Sequence, residues 1–172
     1  MENGKVELNW ERYKAELRAQ NVKGMEGLIK YLESMDFEVL PGSKSGNYHG
    51  SYPGGLIVHI LTMLDFYRKS GKRFKEGNME MCILLHDVGK VSNYRKHGER
   101  AVEIISEYIE LNETETEAIF YHMGMYGARR RLHQEEEYPL VPAYRALENK
   151  FVLFLHLIDN YCANFVEVVN DE

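Results

Sequence analysis

The sequence predicts an all-α protein, a single domain of six or seven helices over residues 1–172. Three observations predict it. Apolar residues recur at helical spacing along most of the chain, and no run alternates with a period of two. The four prolines, Pro41, Pro53, Pro139 and Pro142, fall in two places only, so few points interrupt that periodicity. The composition, 44% apolar and 28% charged over 172 residues, is that of a globular chain large enough to bury its own core.

The elements follow in order. Leu8, Trp10, Tyr13 and Leu17 predict a helix near 6–20. Leu28, Ile29, Leu32 and Met35 predict a second near 24–35, with Gly24 and Gly27 loosening the junction. Residues 36–53, DFEVLPGSKSGNYHGSYP, read as a long loop, a length often tied to function. Leu56, Ile57, Ile60, Leu61, Met63, Leu64 and Tyr67 stripe a third helix near 54–70. A fourth, near 77–88, is apolar on most sides and is expected to be buried. GKVSNYRK, residues 89–96, reads as a loop. His97 to Leu111 is helical by Ala101, Val102, Ile104, Ile105, Tyr108 and Ile109. Asn112 to Met123 follows, capped by Asn112 or Thr114, with acidic residues in its first turn. Residues 124–139, GMYGARRRLHQEEEYP, form the second long loop. The last helix runs from Val141 to about Val169, with Pro142 in its first turn and Leu147, Phe151, Leu155, Ile158, Cys162 and Phe165 inward.

Lys plus Arg number 21 and Asp plus Glu 27, a net charge of −6. That argues against a general duplex-DNA binder, which needs a broad basic face. Cys82 and Cys162 both lie in apolar runs and read as buried thiols of a reducing cytosol. The charged N-terminal stretch MENGKVELNWERYKAELR lacks the apolar core of a signal peptide. No segment approaches the ~20 apolar residues of a membrane span. The expected location is cytoplasmic, without a membrane partner.

The seven histidines are unevenly placed. His49 lies in the first long loop, and His133 sits among solvent residues. His59 is mid-helix in GGLIVHILTML, His86-Asp87 ends a buried helix, His97 opens the next, and His122 closes the one after. His156 and Asp159 are three residues apart and share a helix face. A lone histidine on an apolar face is usually a core residue. Two carboxylates set in apolar runs, Asp87 and Asp159, are more informative, because buried carboxylates are rare unless paired or metal-bound. Together with the histidines they point to one shared cation. Mixed imidazole and carboxylate ligands suit a divalent transition metal such as Mn, Fe, Co, Ni or Zn.

In order and helix placement, His59, His86-Asp87 and Asp159 resemble the H…HD…D signature of the HD-domain metal-dependent phosphohydrolase superfamily. The resemblance covers about Tyr48 to Ala163 and includes HDVGK, residues 86–90. Within it, YHGSYPGGLIVHILTM (48–63) is similar to the HHAYxGGLxEHTLxM segment of HD-domain 3′–5′ exoribonucleases. HMGMYG (122–127) is similar to their HHG…G segment, and LHLIDNYCA (155–163) to their LHxxDxxDA segment. Met123 stands where a second His is usual, and Val58 where a Glu often precedes His59. About 35 helical residues occupy the place of the nucleases' N-terminal OB-type domain.

The resemblance implies that His59, His86, Asp87 and Asp159 ligate one metal, with Asp87 beside the attacking water. His97, in KHGERAV, is similar to a second-metal histidine of two-metal HD proteins, and His122 is the other candidate for that role. With one metal, both face the phosphate as donors or acids. Lys90, Arg95, Lys96, Arg100 and Arg129–Arg131 supply cations nearby in sequence. The expected catalytic residues are Asp87, Lys90 and His122, and the expected substrate contacts are Lys90, His97, Arg129 and Arg130. Tyr48, Tyr52, Tyr94 and Tyr126 are available to stack a base. The implied activity is metal-dependent hydrolysis of a nucleotide or related small phosphate ester, a metal-activated water attacking phosphorus. Three alternatives stay open: a 3′–5′ exonuclease on short single strands, an HD-type di-iron oxygenase, and a non-enzymatic HD binding module. Oligomeric state is open too, a homo-oligomer included.

Overall fold

The structure is a computed structural model and describes residues 2–44, 50–124 and 145–167. Its helices are α1 (Glu2–Ala19), α2 (Met25–Ser34), α3 (Gly55–Ser70), α4 (Met79–Leu85), α5 (His97–Ser106), α6 (Glu113–Tyr121) and α7 (Lys150–Tyr161). Short 3₁₀ turns stand at Phe37–Val39 and Val88–Val91, and a π-helical turn, Cys162–Val166, extends α7. Residues 145–148 are also helical. The described residues include no strand, in agreement with the predicted class.

Local chemistry explains most boundaries. Asn78 caps α4 by accepting from Met81 N–H, and Asn149 caps α7 by accepting from Phe151 N–H. Asn112, rather than Thr114, caps α6, in a reciprocal capping box with Glu115. One buried core runs through the helices, with Trp10, Tyr13 and Phe37 stacked at the α1 side. α4 is buried on nearly every side, as its sequence predicts. Tyr13 Oη donates to the Leu84 carbonyl at 2.7 Å, which ties α1 to the end of α4. Cys82 and Cys162 are both buried free thiols. No described helix is long and apolar enough to cross a membrane.

Four expectations change. α4 stops at Leu85, so His86 is its C-cap and Asp87 lies in the turn before Val88–Val91. α5 stops at Ser106, because Glu107 and Tyr108 N–H bond three residues back and close the helix with a tight turn. The last helix is interrupted: Asn149 has extended backbone and caps a new start at Lys150. Phe165, expected to point inward, is 75% exposed, and Leu8, part of the pattern that predicts the first helix, is 71% exposed. Leu8 lies two residues, or about 200°, from Trp10 on α1, opposite the buried Trp10–Tyr13–Leu17 face. Phe165 lies in the π turn, which breaks the register on which its placement rested. His49, Tyr48, Tyr126, Arg129, Arg130, Arg131, His133 and the start of the last predicted helix lie outside the described residues.

Candidate metal centre

The helix ends bring the chemistry together. His59 is on α3, His86 and Asp87 follow α4, His97 opens α5, His122 follows α6 and Asp159 is on α7. All except Asp159, which is partly buried, are almost wholly enclosed. Two glycines permit this approach. A Cβ on Gly89 would lie 2.0 Å from the His97 carbonyl oxygen, and one on Gly98 would lie 2.6 Å from the Phe120 carbonyl oxygen. Side chains there would push the turn after Asp87 off α5, and α5 off α6.

Three histidines share one hydrogen-bond pattern. Nδ1 of His86, His97 and His122 donates to the carbonyl three residues earlier: Ile83 at 2.8 Å, Tyr94 at 2.8 Å and Ile119 at 2.7 Å. In a neutral imidazole the other nitrogen then carries a lone pair. All three Nε2 atoms point at Asp87. His86 Nε2 is 3.3 Å from Oδ2, and His97 and His122 Nε2 are 3.1 and 3.6 Å from Oδ1. His97 Nε2 and His122 Nε2 are 2.9 Å apart. Burial pushes His97 down to about 3, against the pull of Asp87, so its ring is neutral near pH 7. Burial alone would raise Asp87. The charge of Lys90 is the largest influence against this and holds it well below the usual carboxylate range.

The result is a concentration of acceptors with too few donors. Buried His86 Nε2 and Asp87 Oδ1 have no hydrogen-bond partner among the described residues. Leaving such atoms unsatisfied costs about 1–3 kcal/mol each, more for a charged group. A cation resolves the deficit in a way a neutral side chain cannot. The donor set of imidazole nitrogen and carboxylate oxygen fits a divalent transition metal.

A second group adjoins the first. His59 Nε2 is 3.0 Å from Asp159 Oδ1, and His59 Nδ1 is 2.8 Å from Glu167 Oε1. Burial opposes charge on His59, but the two carboxylates outweigh it and raise the ring to about 10. Burial likewise opposes ionisation of Asp159, and His59 holds it low. The ligand atoms of His59, His86 and Asp159 lie within 4.8 Å of one another, as do those of His86, Asp87 and His122, and either group could hold a metal ion. His86 belongs to both.

The family model described as HD domain matches residues 56–164, well over half of the chain. The chain belongs to the HD-domain family. No curated protein and no solved structure matches it. The matched stretch contains His59, the HD pair His86-Asp87, His97, His122 and Asp159, while Glu167 lies beyond its end.

Around the HD pair, the remaining predicted residues divide. Lys90 Nζ is 2.6 Å from Asp87 Oδ2 and 2.9 Å from the Gly42 carbonyl, so it clamps the first long loop onto the pair. Tyr94 Oη donates to the Pro41 carbonyl at 2.8 Å and holds the same loop. Arg95 is exposed, and Arg100 pairs with Glu103 on the outer side of α5. Arg129 and Arg130 lie outside the described residues. His156 accompanies the site by another route than the face it shares with Asp159: its Nδ1 donates to the His122 carbonyl at 2.7 Å.

Sequence reasoning missed Glu167 and the Gly42 carbonyl. Glu167 carried the signal that identified Asp87 and Asp159, a carboxylate in an apolar run, NFVEVV. A backbone carbonyl carries none.

Proposed function

We propose that this HD-domain protein is a metal-dependent phosphohydrolase acting on a nucleotide or a related small phosphate ester. The observation that carries the reading is the buried, donor-poor acceptor set centred on Asp87, with His86 Nε2 and Asp87 Oδ1 unpartnered among the described residues. His59, His86, Asp87 and Asp159 would hold one divalent transition metal, of the Mn, Fe, Co, Ni or Zn class. When bound, the cation supplies Lewis acidity, which lowers the pKa of a water and neutralises phosphoryl charge.

The protein's own residues then have separable tasks. Lys90 occupies Asp87 Oδ2 at 2.6 Å, which leaves Oδ1 to ligate the cation beside the attacking water. Lys90 also brings its positive charge to the phosphate. His97 and His122 face Asp87 with Nε2, and an imidazole that takes a proton there donates to a phosphate oxygen or to the leaving oxygen. His156 fixes the backbone at His122.

One cation bound through His86 is favoured over two. The two ligand groups share His86, and one Nε2 lone pair serves one cation. A second reading rests on the 2.9 Å approach of His97 and His122 Nε2 beside Asp87 Oδ1, which offers a weaker second position. The test is phosphate release by protein loaded with each metal in turn. The substrates are nucleoside mono- and triphosphates, cyclic dinucleotides and short oligonucleotides. Release that disappears with Asp87→Asn is expected. Metal-loaded protein that hydrolyses none of them would overturn the reading.

A further inference from the structure

We infer that Glu167 is a positioning residue for His59, delivered to it by the π-helical turn that ends α7. This rests on the reading that His59 ligates a metal.

The first argument is register. Asp159 and Glu167 are eight residues apart, which in a regular α-helix sets their directions about 80° apart at 100° per residue. The chain does not stay regular. From Cys162 to Val166 it is π-helical, and Glu167 N–H bonds to the Cys162 carbonyl five residues back at 3.0 Å. A π turn absorbs one extra residue. The separation then acts as seven residues, and Glu167 returns to within about 20° of the Asp159 direction. Both carboxylates therefore reach one ring from opposite ends, Asp159 at Nε2 (3.0 Å) and Glu167 at Nδ1 (2.8 Å).

The second argument is acceptor supply. His86, His97 and His122 sit at helix ends and satisfy Nδ1–H with a backbone carbonyl three residues earlier. His59 is inside α3, where backbone carbonyls already accept from the helix ladder. It needs an acceptor from elsewhere, and Glu167, its side chain 9% exposed, provides one. A carboxylate on Nδ1–H fixes the tautomer, aims Nε2 at His86 and Asp159, and makes the ring a stronger donor to a metal. Glu167 lies beyond the HD-domain match, so the family resemblance does not assign this role.

The experiment titrates chelator-stripped full-length protein with Co²⁺, read by calorimetry and by the visible cobalt spectrum. Glu167→Ala is expected to weaken Co²⁺ about 10–100-fold and to change the spectrum. Glu167→Gln keeps an acceptor oxygen without the charge and is expected between the two, about 3–10-fold weaker than wild type. Circular dichroism reports folding of both variants. Equal Co²⁺ affinity in wild type and Glu167→Ala overturns the inference while leaving the metal reading intact. If the Ala variant does not fold, an unchanged affinity in Glu167→Gln overturns it instead. Wild-type protein that binds no Co²⁺ overturns the metal reading and this inference with it.

Discussion

Lys90→Met removes one charge and keeps the aliphatic stem, and the structure fixes what is lost. Lys90 Nζ is 2.6 Å from Asp87 Oδ2, with side-chain exposures of 10% and 2%. Breaking a buried pair by removing one partner costs about 3–5 kcal/mol, since the other charge is left uncompensated. The slight exposure of Lys90 sets the expectation at the lower end, about 3 kcal/mol. At about 2–4 °C per kcal/mol for a chain of this size, chelator-treated Lys90→Met should melt about 6–12 °C below wild type. With Mn²⁺ or Co²⁺ present the gap should shrink, because the cation faces the same carboxylate. Turnover tests the second role of Lys90. Loss of one charge-assisted contact, about 1.5–3 kcal/mol, lowers kcat/KM roughly 10–150-fold while metal stays bound. The assays are thermal denaturation with and without metal, and initial rates on the best nucleotide substrate. A chelator-treated variant that melts with wild type would refute the claim that Lys90 offsets the Asp87 charge. An unchanged kcat/KM would remove Lys90 from the catalytic set.

The other expectations are as follows. His86→Ala or Asp87→Ala should lose metal and activity together, and elemental analysis showing full occupancy in either would exclude that residue as a ligand. His122→Ala should keep close to one metal per chain while turnover falls strongly; two metals in wild type and one in the variant would favour the two-cation reading. In metal-free protein, His59 sits at about 10 against an ordinary 6.5, so the folded state holds an extra proton between those values and stability falls as pH rises through that window. His97, lowered to about 3, works in the opposite sense: the unfolded chain takes the proton first, so stability falls as pH drops from 6.5 towards 3. Urea midpoints of chelator-treated protein across pH 4–10 check both, and His59→Gln should flatten the alkaline limb.

Much of the scaffold was legible because it is periodic. The α3 stripe from Leu56 to Tyr67 and the all-round apolar α4 predict their own burial. The boundaries were less legible where the decision is tertiary. HDVGK reads as the end of a helix followed by a loop. In the fold the helix stops at Leu85, and Gly89 lets the next turn pack against the His97 carbonyl. The candidate site was legible to the extent that its residues are polar groups in apolar surroundings, as Asp87 and Asp159 are. Two features were not. The rotation given by the π turn, which carries Glu167 to His59, leaves no mark in residue spacing. The Gly42 carbonyl that holds Lys90 is the same atom type as every other carbonyl in the long loop.

The way the helices end adds a further reason for a cation at the HD pair. α4 and α6 both terminate at the site, with His86 and His122 as their C-caps. Their last carbonyls give that end of each helix a partial negative charge. α5 begins there at His97 and opposes them with one positive end. The backbone balance at Asp87 is therefore negative, in the same sense as the carboxylate and the three Nε2 lone pairs around it. Among the described residues Lys90 answers from the protein side, and it is divided between Asp87 and the Gly42 carbonyl. Protonating His97 is opposed by burial, which holds its ring neutral. A divalent ion meets that demand without inserting a proton between acceptors 2.9 to 3.6 Å apart. Metal binding should accordingly raise the melting temperature of wild type, by an amount set by the free metal concentration over its Kd.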